Sequence, residues 1–77
     1  MLADDQAWVN VWRSMTDAEL EASARAHAWL AEDWPQAHAK RRDQIFVECE
    51  LRGRGDIVER ARAYAVTTPA AAHATSA

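Results

Sequence analysis

The chain has 77 residues, 49% hydrophobic and 27% charged, with a formal net charge of −3. That balance excludes a multidomain protein, a disordered polyelectrolyte and a strongly basic nucleic-acid binder. Two glycines and two prolines are too few for the turns of a β-rich fold, and abundant alanine with few β-branched residues before Ile45 favours helix.

Residues 4–14 are expected to form a first helix, since Trp8, Val11, Trp12 and Met15 recur at helical spacing as one apolar stripe. The next start is written out in full in Met15-Thr16-Asp17-Ala18-Glu19-Leu20. Thr16 can cap, Glu19 can reach back to the cap's backbone N–H, and Met15 and Leu20 can close over the turn as a hydrophobic staple. A second helix should therefore run over 17–33. Its main stripe is Leu20, Ala24, His27, Leu30, Ala31 and Trp34, and a flatter one is Ala18, Ala22, Ala26 and Trp29. Two usable faces predict a central helix, with helix 1 on one side and helix 3 on the other. Glu21 and Arg25 are spaced for an i,i+4 ion pair.

Pro35 suits the first turn of a third helix and pushes Trp34 out of helical geometry. A direct corner follows, and with it an antiparallel helical hairpin. Helix 3 is expected over 35–52, polar and basic at first, then apolar on more than one face through Ile45, Phe46, Val47 and Leu51. Glu48 and Arg52 are spaced for an ion pair, and Gly53 is the expected residue just past the helix. Asp56 is the expected cap of a fourth helix, with Ile57, Val58, Ala61, Tyr64 and Ala65 on its apolar face and an end near Val66. The fold class is all-α: a small three- to four-helix bundle on a central hairpin, with residues 1–66 as one domain. Residues 67–77, rich in Ala, Ser and Thr, read as a disordered tail.

Charge is unevenly spread. Residues 1–34 carry seven acids against Arg13 and Arg25, whereas residues 35–77 carry seven bases against five acids. Such a chain can tie its own helices together or present two differently charged faces to partners.

Catalytic motifs are absent. There is no phosphate-binding glycine loop and no nucleophile elbow, Ser14 and Ser23 lack a nearby base in sequence, and Asp4-Asp5 and Glu32-Asp33 fall at helix ends. No enzyme activity and no cofactor are expected. No metal is expected either: His38 and Cys49 lie about 16 Å apart along a helix, and no CxxC, HxxxH or HExxH pattern occurs. His27 reads as a helix-interface histidine and Cys49 as a buried small hydrophobe. Arg54-Gly55-Asp56 matches an integrin-type tripeptide but serves better as helix punctuation. The lone cysteine, the acidic N-terminus without an apolar signal region, and the lack of a run of about 18–20 apolar residues favour a cytoplasmic protein without a membrane span.

Four tryptophans in so short a chain supply bulk to alanine-rich helices, and any left exposed can anchor a partner. The expected function is a non-enzymatic regulator, adaptor or inhibitor that binds another protein through an apolar helix face. Trp8, Trp12, Trp29, Phe46 and Leu51 are the candidate contacts. Ile45, Phe46, Val47 and Leu51 point in too many directions for one neighbouring helix, which favours a homodimer. The alternative is a small DNA-binding regulator using helices 3 and 4, with Lys40, Arg41, Arg42, Arg54, Arg60 and Arg62 on phosphate. Asp43, Glu48, Glu50, Asp56 and Glu59 interrupt that basic segment. The Ala/Arg/Trp-rich composition suits a high-GC coding sequence, such as an actinobacterial, phage or mobile-element gene.

Overall fold

The computed structural model describes residues 4–68, with side chains from Asp5 onward. It contains four helices and, among the described residues, no strand: α1 (Asp4–Ser14), α2 (Asp17–Asp33), α3 (Pro35–Leu51) and α4 (Gly55–Thr67). The helical bundle expected from the sequence is thus what forms. Of the expected tail, Thr67 closes α4 and Thr68 caps it; residues 69–77 lie outside the described residues.

Local chemistry sets the boundaries. The Glu19 N–H donates to Thr16 Oγ1 at 3.2 Å and the Thr16 N–H donates to Glu19 Oε1 at 2.9 Å, a complete capping box. Trp34 (φ −128°, ψ 64°) serves as C-cap of α2 and N-cap of α3 at once, with Pro35 in the first turn of α3. At the far end of α3, Gly53 adopts φ 73°. Its N–H donates to Glu50 O at 3.0 Å, and the Arg54 N–H donates to Cys49 O at 2.8 Å. Those two bonds make a Schellman motif, and the positive φ is the reason for glycine there. Asp56 is not the cap of α4. The helix begins two residues earlier than that cap implies, on Arg54 without a side-chain cap, because the Asp56 carboxylate is taken by Arg54 and Arg60.

Side-chain ties give the helix directions. Glu21 to Arg60, Arg25 to Tyr64 and Trp29 to Thr68 keep one register, so α4 runs parallel to α2. Asp5 meets Lys40 and Arg41, and Arg52 reaches the Trp12 and Arg13 carbonyls, so α1 runs parallel to α3. The hairpin makes α2 and α3 antiparallel.

The core consists of Trp12, Leu20, Ala24, Ala28, Ile45, Phe46, Cys49, Ile57, Val58, Ala61 and Ala65, with Met15 packed at its edge. Alanines on both α2 and α4 let those backbones approach closely. The central position of α2 is as expected, but its neighbours are not: α3 and α4 flank it, and α1 packs chiefly on α3. Ala18, Ala22 and Ala26 remain exposed, and the buried alanines are Ala24, Ala28 and Ala31. The expected Glu21–Arg25 pair is replaced by contacts to α4, since Arg60 takes Glu21 and Arg25 lies 6.0 Å from the Tyr64 ring centre.

Candidate functional site

The structure separates the tryptophans by role. Trp12 is only 2% exposed, and its Nε1–H donates to Gln44 Oε1 at 3.2 Å. It is a core residue, and a partner cannot reach it without displacing Trp8. Trp8 stacks on it at 5.3 Å and 22°, remains 40% exposed, and lies under the Arg41 guanidinium at 5.0 Å. Trp29 is half-buried; its Nε1–H donates to Thr68 O. With Ala22, Arg25, Ala26 and Tyr64 it lines an open hollow of about 520 Å3 between α2 and α4.

Phe46 also belongs to the core, capped at 4.9 Å by Arg62. Ile45 and Phe46 are covered within the chain by α2 and α4, so they give no cause for a second copy. Leu51 is the opposite case, 72% exposed, and one turn before it Val47 is 57% exposed. Gln44, Val47 and Leu51 share one face of α3 at i, i+3 and i+7, and Gln44 bonds Trp12 of α1. On α1, Trp8 and the 41% exposed Val11 are the bare apolar residues, with Trp8 against Arg41 of α3. Val11 and Val47 are additions to the expected contacts. Helical periodicity had placed Val11 in the core stripe, since spacing alone cannot show which edge of a stripe the next helix leaves bare.

The basic residues are not an open phosphate-binding face. Asp5 accepts from Lys40 and Arg41, each at 3.1 Å. Asp17 accepts from Arg52 and Arg54, each at 2.8 Å. Arg60 holds Glu21 at 2.7 Å and Asp56 at 3.0 Å, while Arg42 pairs with Asp43. Arg62 lies over Phe46 beside a hollow that Glu32 and Arg42 also line. The acids of the first half thus meet the bases of the second inside one molecule. Hydrogen bonds from Lys40 and then Arg41 hold the Asp5 carboxyl below the usual carboxylate range; Arg52 does the same for Asp17, Arg60 for Glu21 and Arg54 for Asp56. Arg54-Gly55-Asp56 closes on itself, with the Arg54 guanidinium on the Asp56 carboxylate.

Arg52 is the most connected of these cations. It holds Glu48 at 2.9 Å as spacing predicted, reaches Asp17, and donates to the Trp12 and Arg13 carbonyls at 3.0 and 3.1 Å. The C-terminal end of α1, whose last carbonyls lack helical partners, is tied to the end of α3 by this one side chain.

Ser14 Oγ donates to Val11 O, and Ser23 Oγ contacts Met15 Sδ, so neither hydroxyl faces a base. Cys49 is fully buried, and desolvation pushes its thiol up, which suppresses the reactive thiolate. Among the described residues no three His, Cys, Asp or Glu side chains converge as a metal cluster. His27 does lie at a helix interface: its ring is 5.5 Å from Trp12 of α1 and 6.0 Å from His38 of α3, centre to centre. No helix among the described residues is long and apolar enough to cross a membrane.

Compared with models of protein families, with curated proteins and with solved structures, the chain finds no match.

Proposed function

We propose that this chain is a non-enzymatic adaptor or inhibitor that binds another protein along the α1–α3 seam. The contacts are Trp8 and Val11 of α1 with Val47 and Leu51 of α3. The observation that carries the proposal is the exposure of these four large apolar side chains on adjoining helices. Apolar exposure on two packed helices favours protein contacts, and a stacked Trp beside an Arg is the composition enriched at binding hot spots. An amphipathic helix laid along the seam would bury the strip and meet the Lys40, Arg41 and Asp5 charges at its rim. A second copy of the chain is the other occupant to test. The nucleic-acid alternative draws little support, since phosphate would have to displace carboxylates from Lys40, Arg41, Arg42, Arg54 and Arg60.

The test uses a Val47→Asp/Leu51→Asp double variant, which changes exposed positions and should leave helical content intact. Capture of a defined partner from the host is expected to weaken at least tenfold, with little dependence on salt. Sedimentation at high micromolar concentration separates the occupants: a wild-type dimer that the variant abolishes identifies a second copy. Capture unaffected by the variant, or steeply salt-dependent binding to duplex DNA, would overturn the proposal.

A further inference from the structure

We infer that His27 and His38 form a two-histidine site for a divalent transition-metal ion, bridging α2 and α3. The two residues are eleven apart and straddle a helix break, so no short spacing motif joins them. The corner at Trp34-Pro35 folds α3 back along α2 and brings the imidazoles to a centre-to-centre distance of 6.0 Å. A metal–nitrogen bond of about 2.0–2.1 Å places an ion about 3.2 Å from each ring centre. Two imidazoles sharing one ion therefore stand about 5.2 Å apart at the tetrahedral angle and about 6.4 Å apart in a linear arrangement. The observed separation lies between the two, and binding at the tetrahedral angle draws the rings together by about 1 Å. The ring planes are inclined by 70°, so the rings are not stacked face to face, a geometry that would keep both nitrogens off a common point.

A second observation concerns His27 alone. Its Nδ1 lies 2.9 Å from the Ser23 carbonyl oxygen. A carbonyl only accepts, so Nδ1 carries the proton and donates it, and Nε2 is left with the free lone pair. Donation of the other ring N–H to a backbone carbonyl is how metal-binding histidines are oriented and made more basic. Both side chains are half-buried, and Trp12 walls the His27 ring on the α1 side. With no third protein ligand converging among the described residues, water fills the remaining positions. The site should then be exchangeable, and weaker than a four-ligand structural zinc site. Neutral imidazole suits Zn2+, Cu2+, Ni2+ and Co2+ and discriminates against Mg2+ and Ca2+.

Such an ion would clamp the two arms of the hairpin directly under the Trp12 seat of α1. Its binding would thus stabilise the folded chain by mass action.

The experiment is a Zn2+ titration of the full chain in a non-chelating buffer, followed by thermal midpoint and by the imidazole NMR signals. The midpoint of the wild-type chain is expected to rise with the logarithm of Zn2+ concentration, with Mg2+ inert at the same concentrations. The imidazole signals of His27 and His38 should shift together. His38→Ala and His27→Gln should each weaken Zn2+ binding at least tenfold, whereas His73→Ala should keep the wild-type response. No midpoint shift at millimolar Zn2+, an equal shift in His38→Ala, or loss of the shift in His73→Ala would each overturn the assignment.

Discussion

The contact of α4 with α2 and the contact of α1 with α3 hold a helix in place by different means. Between α2 and α4, Leu20, Ala24 and Ala28 meet Ile57, Val58, Ala61 and Ala65 in one buried cluster, and small side chains bring the backbones close along several turns. Against α3, α1 contributes one deeply buried residue, Trp12. Polar ties surround it: Asp5 to Lys40 and Arg41, Trp12 to Gln44, and Arg52 to two carbonyls. Apolar burial is distributed and insensitive to salt, whereas a single anchor ringed by exposed ion pairs is a local lock. Helix α1 is therefore the separable element.

The sharpest way to break the distinction is to compare the two anchors. Ile57→Ala should lower the unfolding free energy by about 3–4 kcal/mol, because the void opens where α2 and α4 cannot collapse further. Urea denaturation should show one cooperative transition moved to lower denaturant. Trp12→Ala should cost about 2–3 kcal/mol, less than the usual cost for a buried Trp, because α1 comes away rather than spanning a hole. Far-UV circular dichroism should then show about one helix lost while α2–α4 still unfold cooperatively. A Trp12→Ala chain that keeps full helicity would show α1 to be held by more than its anchor.

Arg52→Met tests the polar half of the lock. Losing charge-assisted bonds to Glu48, Asp17 and the two α1 carbonyls should cost about 1–2 kcal/mol, and hydrogen exchange should quicken in α1 more than in α4. Thr16→Ala removes the acceptor of the Glu19 N–H and should cost about 1 kcal/mol, seen as a lower urea midpoint. The smallest effect is expected from acid. The carboxyls of Asp5, Asp17, Glu21 and Asp56 are depressed in the folded chain by their Lys and Arg partners. Their contribution is fully present above the ordinary carboxylate range of about pH 4 and is lost as pH falls below it. A modest fall in thermal midpoint below pH 4, reduced by 0.5 M salt, is the expected result. A midpoint that rises in acid would contradict the ion pairing.

Much of this fold was legible because its signals are local. Thr16 and Glu19, Trp34-Pro35, and Gly53 each terminate or start a helix through bonds within a few residues. The boundaries of α1 and α2 accordingly fall where the sequence put them, the ends of α3 and α4 fall within one residue, and the start of α4 lies two residues early. The Glu48–Arg52 pair was legible for the same reason. The failed expectations all concern competition. Asp56 has the chemistry of a cap, but Arg54 and Arg60 bind its carboxylate instead; Glu21 is spaced for Arg25 and is taken by Arg60.

What the sequence by itself determined is the all-α class, most of the helix ends and the hairpin corner, since caps, a proline and a glycine with positive φ act through the backbone nearby. Only the tertiary structure decided that α4 rather than α1 lies beside α2. It also decided that Trp12 and Phe46 are interior while Val11, Val47 and Leu51 are bare, and that His27 meets His38. Those outcomes depend on which of several apolar stripes finds a partner. Burial is a contest among whole faces, and periodicity marks every contestant without naming the winner.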